Sequence, residues 1–124
     1  MTAWGWELII DMRCGHLNLV TDPIYIADFA RSLVKKIDMV AFGEPQVVHF
    51  ADHCRDKAGW TLIQLMETSN ITAHFLDNDG DAYINVFSCK QFDPDVVVKT
   101  IQEWFKPASV SSFMVERNAK ANNL

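Results

Sequence analysis

Proline and glycine are scarce in this chain, at four and five residues of 124. That scarcity, with no repeat or biased tract, excludes collagen-like, linker-like and low-complexity character. No apolar run approaches the roughly 18 residues that span a bilayer. Basic residues are outnumbered, 11 against 16 acidic, for a formal charge of −5. They are also dispersed, so the basic stripe that a phosphate backbone demands is missing, and nucleic acid is not an expected partner. Cysteine appears three times, as Cys14, Cys54 and Cys89. An odd, sparse count argues against a disulfide framework and for reduced thiols in the cytoplasm, each read singly as a small buried apolar residue. The opening residues Met1 to Glu7 have no basic stretch before an apolar one, so they do not read as a signal peptide.

What remains is a globular composition, 49% hydrophobic and 22% charged. One domain over 1–124 is expected, long enough to bury roughly two thirds of its unfolded surface. Trp4 to Met12 reads as a strand. Thr21-Asp22-Pro23 is a helix start, and Ile26, Ala30, Leu33, Val34 and Ile37 then recur at helical spacing, predicting a helix over 23–38. Strands are expected at Val47–Phe50, Trp60–Met66 and Ile71–Leu76, with a polar loop over 51–59. Asp77-Asn78-Asp79-Gly80 is a strong turn signal, and Asp81 to Cys89 is the return strand. Asp93-Pro94 opens a second helix ended by Pro107, Val110–Val115 is a last strand, and the polar tail 117–124 is expected to fray. This order predicts an α+β fold: a two-layer sandwich, its mostly antiparallel sheet carrying two helices on one face.

The turn at 77–80 sets a register. If it is the hairpin loop, Leu76 faces Asp81, His74 faces Tyr83 and Thr68 faces Cys89. Ser69, His74 and Cys89 then read as one cluster: a hydroxyl, a side chain type that exchanges protons near neutrality, and a thiol. In a regular strand Ser69 and His74 point to opposite faces, so the cluster requires a turn or bulge near Ser69-Asn70. Asp77 to Asp81 does not make a calcium loop, because Phe75 and Val86 would fall at its first and twelfth positions. His49, His53 and Cys54 lack a second ligand pair, so no metal is expected. Trp4, Trp6, Trp60 and Trp104 read as core or interface anchors.

The segment Glu67-Thr68-Ser69-Asn70-Ile71-Thr72-Ala73-His74-Phe75, ending at Phe87-Ser88-Cys89, resembles the core of the bacterial and archaeal S-adenosylmethionine decarboxylases. Those carry Glu-Ser-His-Ile-x-x-His and then Asp-x-Phe-Thr-Cys-Gly. The offsets of five residues from Ser69 to His74 and fifteen from His74 to Cys89 are kept without a gap. Gly5, Leu8, Asp11, Cys14 and Asp93-Pro94 also fall on family positions, and the resemblance spans most of 5–115.

The resemblance implies a self-processing proenzyme. The Ser69 hydroxyl attacks the carbonyl of Thr68, cleavage gives chains 1–68 and 69–124, and a pyruvoyl group replaces Ser69. Its ketone forms a Schiff base with S-adenosylmethionine and draws off the electrons left by CO₂, the role pyridoxal plays elsewhere. His74 is implied as the processing base and Cys89 as the proton donor to the product. Phe50 and Glu67 are implied as substrate-binding residues. The implied product is decarboxylated S-adenosylmethionine for spermidine synthesis, and the implied assembly is a homodimer with sites near the subunit interface. The chain departs from the family at Thr68 (for Glu), Asn70 (for His), Leu76-Asp77-Asn78 (for Trp-Pro-Glu), Asn85 (for Asp) and Lys90 (for Gly). Two alternatives follow: a pyruvoyl decarboxylase of ornithine or arginine, or an uncleaved homologue that regulates a catalytic partner.

Overall fold

The computed structural model describes residues 3–120. The chain orders as β1 (Gly5–Arg13), α1 (Leu17–Val20), α2 (Pro23–Lys36), β2 (Gln46–Phe50), β3 (Gly59–Met66), β4 (Ser69–Leu76), β5 (Ala82–Ser88), α3 (Pro94–Phe105) and β6 (Ser109–Arg117). Six strands form one sheet in the order β2-β3-β4-β5-β1-β6, and every neighbouring pair is antiparallel. The helices cover one face, so the predicted α+β sandwich is what forms.

Both long helices start where the sequence indicates. Asp22 Oδ1 accepts from the backbone N–H of Ile24 at 3.0 Å and of Tyr25 at 3.2 Å, with Pro23 in the first turn of α2. Asp93 does the same for Asp95 at 2.9 Å, ahead of Pro94. These contacts satisfy donors that a helix N-terminus leaves open. The apolar stripe of α2 (Ile26, Phe29, Ala30, Leu33, Val34) and that of α3 (Val97, Ile101, Phe105) are buried against the sheet. Phe29, Phe75 and Phe105 meet at the centre, with ring centroids 4.8 to 6.5 Å apart. Edge-on packing of this kind adds to the area term.

The sheet face that receives the helices carries Leu8, Ile10, Met12, Leu62, Ile71, Phe75, Ile84 and Val86, all buried. Among the described residues, no element covers the opposite face. It leaves Val48, Phe50, Ile63, Leu65, Tyr83 and Phe113 exposed. Gly59 is required where β3 meets β4, because a Cβ there would sit 1.8 Å from the Phe75 carbonyl oxygen.

Three expectations change. A four-residue helix, α1, precedes α2, too short to show a periodic stripe. The fraying tail begins later than expected, since Arg117 still pairs with Gly5 in the sheet and with Glu7 by an ion pair at 2.5 Å. Residues 121–124 of that tail, and Met1-Thr2 of the N-terminal reading, lie outside the described residues. Third, β4 begins at Ser69, two residues before the expected start at Ile71.

Candidate active site

The residues Met66 and Ser69 pair across a loop of only Glu67 and Thr68. Nothing in Glu-Thr announces a tight hairpin, and the geometry shows the cost. Thr68 has φ 61°, in the left-handed region, where a β-branched residue is a real outlier, strained by about 1–2 kcal/mol. The loop is braced from outside: the Glu67 N–H donates to the Val40 carbonyl at 3.0 Å and the Phe42 N–H to the Leu65 carbonyl at 2.9 Å. The peptide bond following the strained residue is the Thr68–Ser69 bond.

Ser69 points into the helix-covered side and is almost fully buried. Its hydroxyl donates to Ser88 Oγ at 2.7 Å. Ser88 is wholly buried; its Oγ also accepts from the Lys90 N–H at 2.9 Å and donates to Met39 Sδ at 3.6 Å. The Lys90 ammonium in turn donates to the Asp38 carbonyl at 2.6 Å and its carboxylate at 3.2 Å. Ser88 is thus the fixed partner of Ser69. The hairpin register predicts it: His74 faces Tyr83 as expected, and the same count sets Ser69 opposite Ser88. Cys89 follows directly, partly buried, with Glu67 and Thr68 exposed at the same end of the sheet.

His74 does not join this group. β4 runs without a bulge from Ser69 to Leu76, alternating buried and half-buried positions. The expected irregularity lies one step earlier, in the 67–68 loop, so it does not rotate His74 toward Ser69. His74 faces the uncovered side, five residues on, about 16 Å along the strand at ~3.3 Å per residue. The single-protomer cluster of Ser69, His74 and Cys89 is therefore corrected to two groups.

The second group is defined on the uncovered face. Thr61, paired with His74 across β3 and β4, lies with its Oγ1 2.8 Å from His74 Nδ1. His74 Nε2 is 2.8 Å from the Lys57 carbonyl oxygen. A carbonyl only accepts, so Nε2 carries a hydrogen; in the neutral ring Nδ1 is then the basic nitrogen, receiving the Thr61 hydroxyl. Phe50 ends β2 on this same face, more than half exposed. Neither Thr61 nor Lys57 has a signal in the sequence, because the 67–68 loop that sets their register has none.

Other expected residues take structural places. Cys14 is exposed at φ 54°, not buried. Its N–H donates to Asp81 Oδ1 at 2.8 Å. Asn85 donates to Glu7 at 3.3 Å. Trp6, Trp60 and Trp104 pack against the core, whereas Trp4 is largely exposed beside Phe87. His49 has both ring nitrogens on carboxylates, Asp52 and Asp77. No described helix is long and apolar enough to cross a membrane.

An all-antiparallel sheet backed by helices on one side, with a left-handed threonine before a buried serine, defines a class: an α+β domain with an unusual two-residue hairpin at one end of its sheet. The family model for S-adenosylmethionine decarboxylase matches residues 6–118. The chain belongs to that family of carboxy-lyases. S-adenosylmethionine decarboxylase proenzymes from two type A strains of Clostridium botulinum are each 26% identical over 100 residues, covering 80% of this chain and 81% of the relative. The crystal structure of the adenosylmethionine decarboxylase from Aquifex aeolicus VF5 superposes with a TM-score of 0.78 at 17% identity, over 95% of this chain and 93% of that one. That likeness is one of fold.

Proposed function

We propose that the chain is a proenzyme that cuts itself between Thr68 and Ser69 into 1–68 and 69–124, and then decarboxylates S-adenosylmethionine in the cytoplasm, supplying spermidine synthesis. The observation that carries this reading is the left-handed Thr68 immediately before a buried, oriented Ser69 hydroxyl. Ser69 Oγ attacks the Thr68 carbonyl carbon, and its proton passes by way of the Ser88 hydroxyl to the Ser69 nitrogen as that nitrogen leaves. The bond from that carbon to the Ser69 nitrogen breaks, relieving the hairpin strain and leaving an ester. A base then takes the Ser69 α-proton, the Cβ–Oγ bond breaks, and Thr68 leaves as a carboxylate. Water replaces the nitrogen of the remaining dehydroalanine as ammonia, giving a pyruvoyl group.

The residues present fit that group, since its carbons come from Ser69 alone and the Ser69 hydroxyl is held beside the left-handed Thr68 by Ser88. The ketone supplies a sink for the electron pair left when CO₂ departs. Cys89, beside Ser88, is the proposed proton source for the product. No metal is required by any residue of this scheme.

The geometry of His74 supports a homodimer. Its Nδ1 has the right tautomer for a base, but it faces the wrong side and lies too far to reach Ser69 in its own protomer. The uncovered apolar face that holds His74, Phe50 and Thr61 needs a second layer. A second copy packed there would bury the His74, Phe50 and Thr61 group of each protomer at the subunit interface. In this reading Phe50 and Glu67 contact substrate.

Ser69→Ala is expected to leave one intact chain with no activity. Cys89→Ala is expected to cleave normally and lose most of its turnover, on the order of the 10²–10⁴-fold that a positioned acid contributes. Mass spectrometry and CO₂ release from carboxyl-labelled substrate check both. A second reading, ornithine or arginine as substrate, is favoured by Asp77 and Asn78. They stand where the family has Pro and Glu, and both are engaged, by His49 at 2.5 Å and Arg55 at 3.2 Å. Comparing CO₂ release from the three labelled substrates separates these readings. An uncleaved regulatory homologue would keep its intact mass.

A further inference from the structure

At the far end of β4 from Ser69, the 51–58 loop meets the 77–80 turn around a cavity of about 590 Å³. His49 enters it from β2. Its Nδ1 is 2.6 Å from Asp52 Oδ1 and its Nε2 is 2.5 Å from Asp77 Oδ2. The Trp60 ring meets the imidazole edge-on at 4.9 Å. His53, Arg55 and Asn78 complete the charged and polar groups around it. Asp77 Oδ1 is buried without a hydrogen-bond partner among the described residues, so this carboxylate depends on the imidazole for its compensation.

The loop between these carboxylates also carries the Lys57 carbonyl that holds His74. It is closed by turns of its own. Cys54 N–H donates to Ala51 O at 3.0 Å, Lys57 N–H to Cys54 O at 3.0 Å, and Ala58 N–H to Cys54 O at 2.9 Å. The Asp77 N–H donates to the Ala58 carbonyl at 3.0 Å, one peptide beyond the carbonyl that receives His74 Nε2. Asp77 therefore grips the loop by its backbone, and through His49 and Asp52 by its side chain.

We propose that His49, clamped between Asp52 and Asp77, is a positioning residue that fixes the ring orientation and tautomer of His74 through the Lys57 carbonyl. This rests on the reading of His74 as the processing base. The chemistry of the clamp is specific to the imidazolium. A neutral ring has one N–H and can donate to only one carboxylate, whereas the cation donates to both. The hydrogen bond to Asp77, with Coulombic help from it and Asp52, raises the affinity of His49 for its proton above the usual histidine value, against a smaller opposing effect of burial. The clamp is whole when His49 is charged and opens on one side as pH rises through that elevated value.

The test uses full-length chain carrying Ser69→Ala, so that every sample is uncut, with ¹⁵N NMR of the His74 ring. The parent is expected to show one tautomer, hydrogen on Nε2, with slow exchange of that hydrogen. His49→Gln, and the milder Asp52→Asn at an exposed carboxylate, are expected to mix the tautomers and speed the exchange at least tenfold. Each is expected to slow self-cleavage in chains retaining Ser69 by roughly tenfold to a hundredfold, the scale on which a displaced group loses rate. If both variants keep the single His74 tautomer and the parent exchange rate, the clamp is overturned. If they loosen His74 while the parent chain, with Ser69 in place, never cleaves, the clamp stands and the processing reading falls.

Discussion

At Thr68 a single backbone angle carries the proposed chemistry. The hairpin needs a left-handed residue, and threonine is among the least suited to supply it. Glycine would adopt the same angle without penalty. Thr68→Gly is therefore expected to stabilise the uncut Ser69→Ala chain by up to about 1 kcal/mol in thermal or urea unfolding. The same change, with Ser69 present, is expected to slow self-cleavage several-fold, because less strain is released when the 68–69 bond breaks. An unchanged cleavage rate in a stabilised chain would mean that the strain is incidental. Ser88 shows what the sequence offered at this scale: the register set by the 77–80 turn places it opposite Ser69, and the structure keeps that pairing. Thr68 offered nothing, since Glu-Thr contains none of the residues that mark a tight turn.

Among the elements, the β2–β3 loop is the one with a condition attached. His49 binds its proton more tightly in the folded chain than a free histidine, chiefly through the Asp77 hydrogen bond. A raised folded value means that the clamp's contribution is complete below about pH 6.5. It is lost as pH rises through the folded value. Hydrogen exchange of the 51–58 amides, corrected for intrinsic rates, is expected to be slow in mildly acidic buffer and faster above neutrality, with no such change in His49→Gln. Equal protection across that range would contradict the sign. Helices α2 and α3 were legible because Asp-Pro starts and apolar stripes are local signals. The His49–Asp77 contact was not, because 28 residues separate the partners and no turn links them. His74 was misplaced for a related reason: an irregularity was expected at Ser69-Asn70, and it lies instead in the 67–68 loop, which leaves β4 regular.

As a whole the molecule has one finished layer and one unfinished face. The helix side buries its aromatic centre, while the other side exposes Val48, Phe50, Ile63, Leu65, Tyr83 and Phe113. His74 and Phe50 lie on that face, and Ser69 lies behind it at the far end of β4. In the proposed dimer this apolar face is the surface that a second copy buries. Leu65→Asp, at a half-exposed position, is expected to give monomers in sedimentation with a folded core, and to reduce cleavage and turnover together. A fully active monomer would contradict the proposed dimer. A mostly antiparallel two-layer plan was readable from element order, whereas the strand order β2-β3-β4-β5-β1-β6 depends on β1 pairing with both β5 and β6, a long-range choice without a local mark. The central claim is covalent, so the mass of the purified full-length chain tests it most directly. The account predicts two polypeptides divided between Thr68 and Ser69, the second blocked at its N-terminus by a ketone in place of an amine. A fully active preparation with one uncut mass and serine intact at position 69 would contradict it.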